Sequence, residues 1–155
     1  MKRRTFYIIL AILLVLACGG LAVLSFFSSK PDSLGLRDGK LAACPDSPNC
    51  VSSQASDPEH GMAPIPFADS PQDAMRRLKA ALAAEPRTLI VTQEGNYLHA
   101  EATSLVFRFV DDVEFYVDAE AKVIQFRSAS RAGRSDLGVN RARMERISAR
   151  MKQAD

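Results

Sequence analysis

The sequence predicts an α+β fold: an N-terminal transmembrane helix, then an antiparallel sheet of four to five strands flanked by two helices. Three observations carry this. Residues from Phe6 to Phe27 contain no charge. Apolar and polar residues alternate through 97–103 and again through 105–118, the period of a strand. Met75, Leu78 and Leu82 before these strands, and Met144, Ile147 and Met151 after them, recur at helical spacing.

The apolar run is long enough to cross a bilayer, which takes about 20 residues. Lys2, Arg3 and Arg4 precede it, and flanking positive charge keeps that end in the cytoplasm. The rest of the chain is therefore expected outside the cytoplasm, on a single-pass protein of the inner (cytoplasmic) membrane. Two other fates compete. Ala17-Cys18-Gly19 imitates both a signal cleavage site and a lipoprotein box in which Cys18 would be lipidated. Against both, Leu21 to Phe27 stay apolar beyond Cys18. The expected organisation is an anchor over 1–30, a linker over 31–40 and one extracytoplasmic domain over 41–155.

Pro31, Pro45, Pro48, Pro58, Gly61, Pro64 and Pro66 punctuate residues 28–70, which read as a stalk and a long irregular segment. Ser70-Pro71-Gln72-Asp73 starts a helix: Ser70 can cap, proline fits the first turn, and Asp73 suits the positive end. Pro86 stops it. Thr88–Gln93, rich in β-branched residues, reads as a strand, and Glu94-Gly95-Asn96 as a turn. Tyr97, His99 and Glu101 then share one face of the next strand. Phe107, Phe109, Val113, Phe115 and Val117 keep one parity through 105–118, with a bulge or turn expected at Asp111-Asp112. Val123–Ser128 is a further strand. A loop flanked by Gly133 and Gly138 leads to a helix from about Val139, with Arg143, Arg146 and Arg150 along one side. Strands followed by helices packed on one side are an α+β arrangement.

Charge is uneven. Residues 31–126 carry 8 basic and 15 acidic side chains, and residues 127–155 carry 8 basic and 3 acidic. Such asymmetry bears on association rather than fold. Nothing points to nucleic acid. An anionic ligand or an envelope protein is the expected partner, beside the membrane contacted through residues 6–27.

Four motifs in order, CPDSPNCVSSQ, YLHAE-TS, F-R-F-VDDVEF and RSASR-G-SDLGVNR, resemble those of the domain of unknown function 1499 family of bacteria and plastids. The resemblance runs from about Leu41 to Ile147. It implies a compact envelope or lumenal domain, and it brings no established reaction. Arg134 stands where relatives are expected to carry an aromatic residue, which makes this copy locally more basic.

Four constellations are candidates for chemistry. Cys44 and Cys50 are expected to form a disulfide, since thiols outside the cytoplasm are usually oxidised. A redox pair would have two intervening residues rather than five. A zinc set of Cys44, Cys50, His60 and His99 matches no common spacing, so no metal or cofactor is expected. Asp57 and His60 could form an acid–base pair, though an Asx turn explains them equally. No Gly-x-Ser-x-Gly elbow accompanies Ser52 or Ser53. His99, Glu101, Asp112 and Glu114 would lie on one sheet face, either a wet face or a buried network. Arg127, Ser128, Ser130, Arg131, Arg134, Ser135 and Asn140 supply arginines, hydroxyls and a helix N-terminus, the parts of an anion site. Arg127 has a second option, pairing with Glu114.

The function this supports is a membrane-anchored binding or accessory module of the cell envelope. The alternatives are a small hydrolase using His60 or His99 with a carboxylate, or a structural scaffold. Two polar loops converging on one cleft, CPDSPNC and residues 128–140, would favour a site over mere stability.

Overall fold

The computed structural model describes the backbone of residues 2–26 and 29–153, and within the first helix the side chains of residues 3–16 and 19–20. That helix, α1, runs over Lys2–Phe26. Among the described residues no helix is long and apolar enough to cross a membrane, so the expected spanning segment is met only in its helical form. The Cys18 side chain lies outside the described residues.

The remaining elements are β1 (Cys50–Ser52), β2 (Ile65–Pro66), α2 (Pro71–Ala83), β3 (Thr88–Glu94), β4 (Tyr97–Thr103), β5 (Val110–Asp118), β6 (Val123–Ser130) and α3 (Val139–Gln153). The antiparallel sheet has six strands rather than four to five, in the order β1-β6-β5-β4-β3, with β2 also paired to β6. β1 and β2 are the additions. They are too short to show a period, and they form because β6 offers its free edge to residues 50–52 and 65–66.

α2 begins as expected. Ser70 accepts from the Asp73 N–H at 3.1 Å, which satisfies one of the unpaired donors of the first turn. Its buried residues, Ala74, Met75, Leu78, Ala81 and Leu82, form one stripe. With Met144, Ile147 and Met151 of α3, this stripe covers one sheet face made of Leu98, Ala100, Val113, Phe115, Val117, Ile124 and Phe126. Burying such side chains contributes about 1.5–3 kcal/mol each, and this face holds the domain together.

Two expectations about the middle strands are corrected. Phe107 and Phe109 lie in the loop before β5, not in the strand, with their ring centroids 6.1 Å apart and the planes tilted by 52°. There is no bulge at Asp111-Asp112, because both residues sit in regular register with β4 and β6. Asp111 stays on the helix side of the sheet because Arg143 and Ser130 satisfy its carboxylate there. The register slips instead in β3, between Ile90 and Thr92.

Candidate functional site

The sheet face turned away from the helices is not a wet surface. His99, Asp112 and Glu114 are buried, and so is Arg127. Strand register makes the cluster: His99 stands opposite Glu114, Glu101 opposite Asp112, and Glu114 opposite Arg127. The four polar-face candidates are therefore brought together, and Arg131 joins them from the end of β6.

Every charge in the cluster has a partner. The Arg131 guanidinium donates to both Asp112 oxygens, at 2.9 and 2.7 Å, and also to Glu101. His99 Nε2 lies 2.8 Å from Asp112 Oδ1. Burial pushes the Asp112 carboxyl up, but Arg131 and His99 outweigh it and hold it below the usual carboxylate range. Arg127 donates to Glu114 Oε2 at 3.2 Å. The Tyr97 hydroxyl donates to Glu114 Oε1 at 2.9 Å, and burial together with that carboxylate pushes the phenol well above its ordinary value. A buried ion pair stripped of one partner costs about 3–5 kcal/mol, so charge pairing is what lets these groups stay inside, with the buried Arg127 Nε left without a hydrogen-bond partner.

The face is roofed by the chain that follows α1. The Gly35 N–H donates to Glu114 Oε1 at 2.8 Å. Beside this roof a cleft of about 460 Å³ is lined by Lys30, Asp32, Thr92, Glu94, Tyr97 and His99, among others.

The arginines expected to bind an anion are used internally. Arg127 and Arg131 serve the carboxylates just described. Ser128 donates to Asn140 at 2.6 Å, and Arg143 donates to Asn140 at 2.6 Å and to Ser128 at 3.1 Å. Ser130 donates to Asp111 at 2.6 Å. Arg134 and Ser135 are exposed on the loop before α3. Asp136, rather than Ser135, caps that helix by accepting from the Asn140 N–H at 2.7 Å. The expected anion site is thus split into two buried internal networks and an exposed loop.

His99, Glu101 and Asp112 place ligand atoms within 4.8 Å of one another, a donor set a cation could use. Arg131 already sits on both carboxylates and brings one positive charge to the pair. The expected disulfide is present: Cys44 and Cys50 are bonded at 2.02 Å, so neither sulfur is a thiolate that could ligate zinc.

His60 sits beside a larger cleft, about 610 Å³, walled by residues 40–46 and 52–60. Its Nδ1 lies 2.8 Å from Asp57 and its Nε2 3.2 Å from the Ser47 carbonyl. Both partners are acceptors, so the protonated ring donates from both nitrogens. Burial pulls the imidazole pKa down, but the Ser47 carbonyl and the Asp57 carboxylate outweigh it and raise it. In that protonated form the ring has no lone pair for base catalysis. Gly61 completes the turn: its N–H donates to the Asp57 carbonyl at 2.8 Å, and a Cβ at Gly61 would stand 2.6 Å from that oxygen.

The CPDSPNC loop and residues 128–140 do converge. Asn49 donates to the Gly133 carbonyl at 2.6 Å, and Asn140 donates to the Asn49 carbonyl at 3.0 Å. They bond to each other and close the space between them, so the Asn49 end of the loop pins the chain, while Cys44, Pro45 and Asp46 at its other end wall the cleft beside His60.

Sequence reasoning missed Asp111, Arg143 and Glu85 as buried polar centres. Glu85, after α2, is 4% exposed and is gripped by Arg146 at 2.9 Å and by Arg150. The row of arginines along the last helix was its signal, since side chains at i, i+3 and i+4 share a face.

A six-stranded antiparallel sheet with two helices on one face and a buried ionic network on the other defines the class. The chain belongs to the family described as a protein of unknown function (DUF1499), whose model matches residues 40–151. No curated protein and no solved structure matches it.

Proposed function

We propose that the protein is a membrane-tethered binding or accessory module working outside the cytoplasm, with its site in the cleft beside His99. One observation carries the binding reading. The histidines and arginines that chemistry would need are bonded internally, His60 through both ring nitrogens and Arg131 through Asp112 and Glu101. The cleft presents hydroxyl, imidazole and carboxylate groups with a single ammonium from Lys30. Its size suits a small ligand, and its carboxylates favour a hydroxylated or amine-bearing one over an anion.

The tether is supported by the uncharged run from Phe6 to Phe27 and its basic flank. The Cys44–Cys50 disulfide supports an oxidising compartment. A second reading is a hydrolase in which Asp112 orients His99 at the cleft; the 2.8 Å contact between them favours it.

Three experiments test the proposal. Protease added to spheroplasts should remove the domain while leaving a membrane-bound N-terminal fragment, and a fully protected domain would reject the topology. Mass spectrometry should show an intact N-terminus; a chain starting at a modified Cys18 would replace the helix by a lipid. Amide shifts of Thr92 and His99 should respond to ethanolamine or glucose and not to inorganic phosphate. A response to phosphate alone would overturn the cleft assignment.

A further inference from the structure

The two edges of the sheet are built differently. At one edge lie β1, three residues long, and β2, two residues long and ending in Pro66. Short strands and proline are standard protection against strand addition. At the other edge β3 runs seven residues, Thr-Leu-Ile-Val-Thr-Gln-Glu, without lysine or proline. Leu89, Ile90 and Val91 are 69%, 36% and 44% exposed. Among the described residues only β4 pairs with it, so a row of backbone donors and acceptors faces outward.

The register slip decides what this edge fits. Thr88, Ile90 and Gln93 pair with Ala102, Ala100 and Leu98, so these three share one orientation. Leu89, Thr92 and Glu94 pair with Glu101, His99 and Tyr97 and share the other. In an unbroken strand the orientation alternates strictly. Laid antiparallel on its own copy about the midpoint between Ile90 and Val91, such a strand would oppose unlike orientations. The extra residue removes that conflict. Thr88 now meets Gln93 of the copy, and Leu89 meets Thr92, like orientation against like. Beyond them lies Arg87, where the backbone turns at φ 54 and Nε donates to the Thr103 carbonyl at 3.0 Å; the rest of its exposed guanidinium meets exposed Glu94 of the copy, once at each end. A bulge usually disrupts an edge; this one makes the strand complementary to itself.

We infer that β3 is an interaction surface for a second copy of this chain, paired antiparallel about the Ile90–Val91 midpoint with an Arg87–Glu94 charge pair at each end. The contact is isologous and closes as a twofold dimer. It joins two sheets into one and covers the apolar edge.

The test uses the full chain in detergent micelles, with mass measured by light scattering across the micromolar range. Wild type is expected to dimerise. Arg87→Glu and Glu94→Arg each turn two attractive cross-strand pairs into repulsive ones and should weaken association about tenfold or more. The double variant restores the pairs in reverse and should recover the dimer. Glu94 is exposed, so its variant is not expected to disturb folding, and thermal melting checks this for all three. A monomeric wild type, a dimer unaffected by either single change, or a double variant that stays monomeric would overturn the inference. An unaffected dimer would place the contact elsewhere on the chain.

Discussion

Gly35 donates its backbone N–H to Glu114 at 2.8 Å, joining the segment after the first helix to a carboxylate at the centre of the sheet. Glu114 is fully buried and also accepts from Tyr97 and Arg127. The Gly35 amide should therefore exchange slowly in hydrogen–deuterium experiments. Glu114→Ala should speed that exchange strongly and, by leaving Arg127 buried without its partner, cost about 3 kcal/mol. Unchanged exchange at Gly35 would show that the roof is held by other contacts.

Asp112 predicts an acid limit to stability. Its folded carboxyl titrates below the ordinary aspartate value of 3.8. Its contribution is therefore complete above that value and is lost as pH falls through the lower folded one. Thermal midpoints measured from pH 5 downward should drop in this range. Asp112→Asn should flatten the drop; a mutant curve parallel to wild type would exclude Asp112 as its source.

His60 works at the other end of the scale. Its folded pKa is raised above 6.5, so what it contributes is present below 6.5 and is lost as pH rises through the folded value. A proton-detected titration should place its midpoint above that of a free histidine. Asp57→Asn should move it down, and an unmoved midpoint would break the argument from Asp57.

The disulfide and the buried pair on the helix side should separate in urea. Cys44→Ser with Cys50→Ser opens a small loop and should cost about 2 kcal/mol. Asp111→Ala leaves Arg143, which donates to it at 2.6 Å, buried without its counter-charge, and should cost about 3 kcal/mol or more. Equal and small losses in both would mean that Arg143 finds water in the variant.

Much of the fold is readable from local chemistry. Ser70 caps its helix, and Tyr97–Thr103 alternates as a strand must, because these signals depend on residues within one turn or one pleat. The two short strands, Cys50–Ser52 and Ile65–Pro66, carry no such signal and exist through a partner more than fifty residues away. The parity of Phe107 and Phe109 misleads, because a loop can keep strand parity by chance.

The site divides in the same way. That His99 and Glu101 share a face follows from spacing alone. That they face Glu114 and Asp112 depends on hairpin register, which no single strand contains. Arg131 resembles half of an anion site in sequence; its choice of Asp112 over an outside anion is a long-range event. The slip between Ile90 and Thr92 has no local signature at all, since no glycine marks it.

Glu85, Asp111 and Asn49 share a dependence on the final helix, which supplies Arg146 and Arg150 to the first, Arg143 to the second and Asn140 to the third. A nascent chain that lacks this helix holds two carboxylates with no counter-charge and cannot yet bury them. The domain consequently gains its full set of buried charge pairs only when synthesis has passed residue 150.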